Sequence, residues 1–177
     1  MQLKGKKIAI FVEKLYEDIE FWYPYFRMQE AGADVDIIAP DAGEIYEGKH
    51  GMPARSDKAA KKAKAKDYEA LIIPGGYSPD HMRRSKEMVD FVREMHEKKK
   101  IVAAICHGPW MLASAGILSG KEVTSFHSIK DDLINAGAKW EDNPAMVDNS
   151  GIITSRNPHD LPYFCASIIN QITKPEL

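Results

Sequence analysis

The sequence predicts an α/β fold with a mostly parallel sheet covered by helices on both faces. Three observations carry this. Short apolar runs of β type alternate with helix-period segments along the chain. Glycines such as Gly32 and Gly116 stand where those helical segments should stop, in the position of a left-handed C-terminal cap. One buried run, Ile101–Ile105, passes straight into Cys106-His107-Gly108-Pro109 and a further helical segment, the strand–turn–helix junction of a nucleophile elbow. The length of 177 residues suits one domain over 1–177.

Lys7–Val12 reads as the first strand, and Glu17–Ala31 as a helix closed by Gly32. Asp34–Ala39 is the second strand. From Pro40 to Asp57 the pattern weakens around Gly43, Gly48, Gly51 and Pro53, with Ile45-Tyr46 between them, which suits a hairpin or irregular arm. Lys58–Lys66 holds five lysines among alanines just after Ser56-Asp57 and is expected to be a short solvated helix. Ala70–Pro74 is a buried strand ending in Gly75-Gly76. Ser85–Lys99 is amphipathic, with Met88, Phe91, Val92 and Met95 at helical spacing. After Ile101–Ile105 come a helix Trp110–Ala115, a strand Val123–Phe126 and a short helix near Asp131–Ala136. Weak strands around Ala145–Val147 and Ile152–Thr154 and a final helix Leu161–Ile172 complete the chain.

Composition narrows the function. With 24 basic and 26 acidic residues the formal charge is −2, and the lysine tract has no aromatic stacking residues beside it, so nucleic acid is not an expected partner. No apolar run approaches the roughly 20 residues of a membrane span. The basic start, Met1–Lys7, is not followed by a signal-type apolar region or cleavage site, so the cytoplasm is expected. The two cysteines, Cys106 and Cys165, form no Cys-x-x-Cys pair, and the six histidines show no His-x-x-x-His spacing backed by a glutamate. No metal is expected. Neither a Walker motif nor Gly-x-Gly-x-x-Gly occurs, and no cofactor is implied.

In a parallel α/β sheet ligands collect outside the carboxyl ends of the strands. Three such ends carry chemistry: Glu13, Glu17 and Asp18 after Val12, Gly75-Gly76 after Pro74, and Cys106 after Ile105. An elbow cysteine at a helix N-terminus is placed to be a thiolate nucleophile, whereas Cys165, inside an apolar helix, is expected to be inert. His107 follows the cysteine, and adjacent side chains at a turn usually diverge, so its backbone N–H or a positioning role is an alternative to proton abstraction. Gly75-Gly76 could bring backbone N–H groups beside the sulfur as an oxyanion hole. Glu17 could hold a proton against the thiolate, with Asp18 and Glu20 competing on every local criterion. Cys106, His159 and Asp160 also follow the chain order of a cysteine–histidine–acid triad.

The ordered set Glu17-Asp18-Ile19-Glu20 before Tyr23-Pro24, Pro74-Gly75-Gly76, Ala104–Pro109, Lys130-Asp131-Asp132 and Ser155-Arg156 resembles the ThiJ/PfpI superfamily, nearest to its PfpI-type intracellular protease branch, from Lys6 to Ile172. The resemblance implies a flavodoxin-like three-layer sandwich. It implies a reactive Cys106 touching a protonated Glu17, and an oxyanion pocket from Gly75, Gly76 and the His107 amide. It also implies a homo-oligomer, dimer or hexamer, in which Asp80 of one subunit orients His107 of another. The family more often has Glu at that position, and Phe126-His127 stand where relatives have Tyr-Pro; His127 could replace the missing phenol.

The expected function is a cysteine-dependent stress enzyme for small aldehydes or glycated proteins, of the cofactor-free glyoxalase or deglycase type. A PfpI-type peptidase acting on peptides is the alternative. From another class come a redox-sensing stress protein or chaperone without turnover, and, further off, a glutaminase-type subunit relying on His159-Asp160.

Overall fold

The computed structural model describes residues 1–174. In chain order the elements are β1 Lys7–Phe11, α1 Asp18–Glu30, β2 Asp34–Ala39, β3 Ile45–Glu47, β4 Pro53–Arg55, β5 Lys58–Ala59, β6 Ala70–Ile73, α2 Ser78–Met82 and α3 Lys86–Glu97. They continue with β7 Ile101–Ile105, α4 Pro109–Ala115, β8 Glu122–Val123, α5 Lys130–Asn135, β9 Lys139–Trp140, β10 Ala145–Val147, β11 Ile152–Ser155 and α6 Leu161–Thr173. The main sheet runs β10-β11-β7-β6-β1-β2-β5 and is parallel except for β10 against β11.

The period of two along each strand divides the core into two layers. Ala9, Phe11, Leu71, Ile73, Val102 and Ala104 face Met88, Phe91, Val92 and Met95 of α3, together with Met111 and Leu112 of α4. Ile8, Ile10, Ala70, Ile72, Ala103 and Ile105 face the opposite layer, Phe21 and Met28 of α1 with Phe164, Cys165, Ile168 and Ile169 of α6. Strands buried on both faces must be apolar throughout, as these are. The flavodoxin-like three-layer sandwich follows, with chain neighbours parting on either side of β1 and β6 to open a crevice at their carboxyl ends.

Several boundaries differ from expectation. The lysine tract is β5 followed by two one-turn 3-10 helices, Ala60–Lys62 and Ala65–Asp67, and not a solvated helix. Its alanines Ala60 and Ala65 are buried in the α3 layer, while Lys58 reaches the Asp36 carboxylate at 2.8 Å, so tertiary packing overrides helix propensity. The strand expected over Val123–Phe126 stops at Val123, and Phe126 leads into a 3-10 turn, His127–Ile129. The arm after Pro40 contains the β3–β4 hairpin. Gly116 adopts φ 71° at the end of α4, as a left-handed cap requires. Among the described residues no helix is long and apolar enough to cross a membrane.

Candidate active site

The crevice is assembled from three strand ends. After β7 the chain turns so sharply that Cys106 takes φ 61°, a left-handed conformation that costs a non-glycine residue on the order of 1–3 kcal/mol. It is held there by its own N–H to Ser155 O at 3.0 Å and its carbonyl accepting from Phe126 N at 3.0 Å. Gly108 supports the turn by its lack of a side chain: a Cβ there would lie 2.6 Å from Ile73 O. Cys106 is 9% exposed, at the floor of the crevice.

The carboxyl beside the sulfur belongs to Glu20, where Glu17 was expected. Glu20, Pro24 and Met28 lie at i, i+4 and i+8 on the buried face of α1. Glu20 is therefore turned inward and has no exposure. Its Oε2 accepts from Gly75 N at 2.8 Å, and its Oε1 is shut off from solvent with no hydrogen-bond partner. The Cys106 thiol is its neighbour across Gly75, close enough for each group to shift the other's proton affinity. Glu17 precedes the helix in extended conformation and points away, its Oε2 2.8 Å from Lys49 Nζ and its Oε1 3.4 Å from His50 Nε2. Asp18 has a third role, accepting from His50 N at 2.9 Å and Met52 N at 3.0 Å to strap the β3–β4 loop onto α1. Glu17, Asp18 and His50 thus bring metal-ligating atoms close together, but Asp18 oxygens already serve backbone amides and Lys49 occupies Glu17.

The glycine pair divides its work differently from the expected oxyanion hole. The Gly75 N–H is used by Glu20, and a Cβ on Gly75 would come within 2.6 Å of Glu20 Oε2 and 2.7 Å of Cys106 Cβ. The amides whose pull favours the thiolate are those of Gly76 and His107. Gly76 has φ 74° and lies so close to the chain at Leu15–Glu17 that a Cβ would be 2.5 Å from Glu17 N.

Burial pushes the Glu20 carboxyl up to about 8, with the charge of Glu17 adding to it and the Gly75 N–H opposing it. The thiol, expected to be depressed, is instead pushed up, first by burial and then by the Glu20 charge, against the pull of the Gly76 and His107 amides. Near pH 7 both groups of the pair hold their protons, and a thiolate forms when a base in contact accepts one. His107 is placed to be such a base. Its side chain does not diverge from Cys106: Nδ1 is 3.3 Å from Sγ, and burial, followed by the Lys49 and His127 charges, pushes the imidazole down.

The other expected residues fall into place around this pair. Phe126 stacks on the His107 ring at 5.2 Å between centroids, and exposed His127 packs on Phe126 at 4.5 Å. Asp80, on α2, is about half exposed and paired with Arg84. Among the described residues no hydrogen bond joins it to His107. Asp160 holds Arg156 through bonds of 2.8 and 3.1 Å, and His159 is exposed, so the alternative triad is not assembled.

A parallel α/β sheet that presents a cysteine at positive φ against a buried, protonated carboxyl defines a cysteine-elbow protein. The chain belongs to the DJ-1/PfpI family, whose model matches residues 6–171. It is 44% identical over 166 residues to a Bacillus subtilis protein provisionally named cysteine protease YraA, covering 94% of this chain and 98% of that one. It is 39% identical over 161 residues to protein/nucleic acid deglycase 2 of Escherichia coli, covering 90% and 94% respectively. Among solved structures, a two-domain Anabaena variabilis protein with DJ-1/ThiJ/PfpI-like and ferritin-like domains superposes with a TM-score of 0.93 at 40% identity, over 95% of this chain and 48% of that longer one. Enzyme names are thus carried by similar members of the family.

Proposed function

We propose that the protein is a cofactor-free enzyme for reactive carbonyls, of glyoxalase or protein deglycase type, with Cys106 as nucleophile. The observation that carries this is the fully buried Glu20 carboxyl packed with Cys106 around Gly75, where one added Cβ would touch both, 2.6 Å from Glu20 Oε2 and 2.7 Å from Cys106 Cβ. A protonated acid at the sulfur suits chemistry that must move protons between neighbouring carbons. The deglycase named in Escherichia coli supports the same reading.

For a 2-oxoaldehyde the steps balance as follows. The thiol proton passes to His107 Nδ1 while sulfur adds to the aldehyde carbon. The new alkoxide takes the Glu20 proton and lies against the Gly76 and His107 amides. Glu20, now ionised, removes the C1 proton to give an enediolate and returns it to C2, while the C1 hydroxyl proton passes to the C2 oxygen. The result is a thioester of the 2-hydroxy acid. Water cleaves the thioester, one water proton restores Glu20, and His107 returns its proton to sulfur.

The test is lactate formation from methylglyoxal by metal-free protein, with a fluorogenic peptide as control. Cys106→Ser is expected to abolish lactate formation with the fold intact, because the hydroxyl is a far weaker nucleophile at its ordinary pKa. Peptide cleavage without lactate would favour the peptidase reading that the Bacillus subtilis name suggests. Neither activity above the Cys106→Ser level would reject the enzyme reading and favour a redox role for the thiol.

The same proposal includes self-association. Ile19, Tyr23 and Phe26 leave apolar surface exposed along α1, and a second copy would cover it. Sedimentation velocity is expected to show a species heavier than the chain mass of 19.9 kDa. A monomer at micromolar concentration would reject that part.

A further inference from the structure

His107 has two ring nitrogens, and the crevice uses both. Nδ1 is 3.3 Å from Cys106 Sγ, and Nε2 is 3.2 Å from Ser128 Oγ. The ring faces are set by aromatic packing, with Phe126 stacked at 28° and the Trp110 ring meeting it edge-on at 70°. Trp110 is itself tied to Asp132 Oδ2 by its indole N–H at 2.8 Å. Stacking of this kind fixes the plane of an imidazole but does not choose where its proton sits; the partners of its two nitrogens do, and a protonated Cys106 thiol donating to Nδ1 leaves the ring proton on Nε2, where the Ser128 oxygen is placed to accept it.

We propose that Ser128 is a positioning residue for His107: its hydroxyl oxygen accepts from the Nε2–H and so keeps the Nδ1 lone pair on the Cys106 thiol. The proposal rests on the reading of Cys106 as nucleophile. It gives the far nitrogen of His107 a partner within the same chain, at the position where an acid in trans was expected.

A hydroxyl differs from a carboxylate in its effect on the ring. A carboxylate beside Nε2 would stabilise the imidazolium, whereas a neutral oxygen leaves the ring a neutral base. That agrees with the direction in which burial and the Lys49 and His127 charges push His107. When the thiol proton moves from Sγ to Nδ1, the same oxygen continues to accept from Nε2–H. No second rearrangement is needed before the proton returns to sulfur.

The experiment uses the whole chain, labelled with 13C,15N-histidine, with the His107 ring assigned by comparison with His107→Gln. Its tautomer is read by NMR, and the rate of Cys106 alkylation by iodoacetamide is read by mass spectrometry. The wild-type ring is expected as the Nε2–H tautomer. Ser128 is exposed, so Ser128→Ala should fold; it is expected to mix the tautomers and slow alkylation by about tenfold, the size of one lost hydrogen bond. Ser128→Thr should restore both, and Asp80→Asn should change neither. An unchanged tautomer and alkylation rate in Ser128→Ala, or a tautomer shift in Asp80→Asn alone, would overturn the proposal. Neither readout needs a carbonyl substrate, so an absent lactate signal with the Ser128 effect intact would reject the glyoxalase reading and leave this one standing.

Discussion

Glu20→Gln is expected to lower turnover by about 10²–10⁴-fold, the usual worth of a positioned acid–base group, and at the same time to stabilise the protein in alkaline solution. The amide keeps the shape of the carboxyl and can still accept from Gly75 N–H, but it cannot carry a proton between two carbons. The stability effect follows from linkage. The carboxyl stands at about 8 in the folded chain against 4.5 as its ordinary value. Between those pH values the folded state holds a proton that the unfolded state has lost. The contribution is therefore fully present below about 4.5 and lost as the pH rises through about 8. Above that range the wild-type chain must keep an ionised carboxylate in a site closed to water.

Gln never ionises, so the variant should lose this slope and exceed the wild type at pH 9 by on the order of a few kcal/mol. Urea unfolding at pH 5, 7 and 9 measures it. Equal pH slopes for the two proteins would mean that Glu20 is ionised throughout, and the proton-shuttle role would fall with it. Glu17→Gln is the internal control. Its carboxylate pairs with Lys49 and His50 on the rim of the crevice, so turnover should change within about fivefold, the size of a lost ion pair near the surface.

Gly75→Ala should damage both activity and stability, for reasons of space. A methyl group there would sit 2.6 Å from Glu20 Oε2, 2.7 Å from Cys106 Cβ and 3.0 Å from His107 N. Neither the elbow nor the inward face of α1 can yield cheaply, since the sheet and the α1 and α6 layer hold both. Overpacking of this kind costs about 1–3 kcal/mol. Parting acid and sulfur by about an ångström costs on the order of 10²-fold in rate. Lactate assays beside urea unfolding test it. Wild-type turnover in Gly75→Ala would show that the close approach of the two groups is not used in the reaction. Gly76→Ala makes a useful comparison, because it combines crowding with a φ of 74° that an alanine rarely adopts.

Much of the scaffold was legible in the residues. Strands covered on both faces must be apolar at successive positions, and helices covered on one face must be apolar every three or four, so Ile8–Phe11, Leu71–Ile73 and Met88–Met95 announce their partners before any contact is known. The elbow was equally local, since a strand, a cysteine, a histidine, a glycine and a proline follow one another without a break. The lysine tract was not. Its alanines are good helix formers, but Ala60 and Ala65 are drawn under α3 and Lys58 to Asp36 from outside the segment.

The acid of the site needed the third dimension. Glu17, Asp18 and Glu20 share a residue class, a helix N-terminus and a crevice, and three different neighbours separate them: Lys49 and His50, the backbone of the β3–β4 loop, and Gly75 with Cys106. One signal for Glu20 does stand in the sequence, an acid in phase with Pro24 and Met28 on the apolar stripe of α1. Reading it requires knowing that the helix starts at Asp18 and leaves Glu17 outside. His107 is similar, because whether adjacent side chains diverge depends on the φ that Cys106 is forced to take. Local pattern specifies which faces are apolar; burial, proton sharing and the choice among identical carboxyls arise between segments far apart in the chain, and only packing brings those segments together.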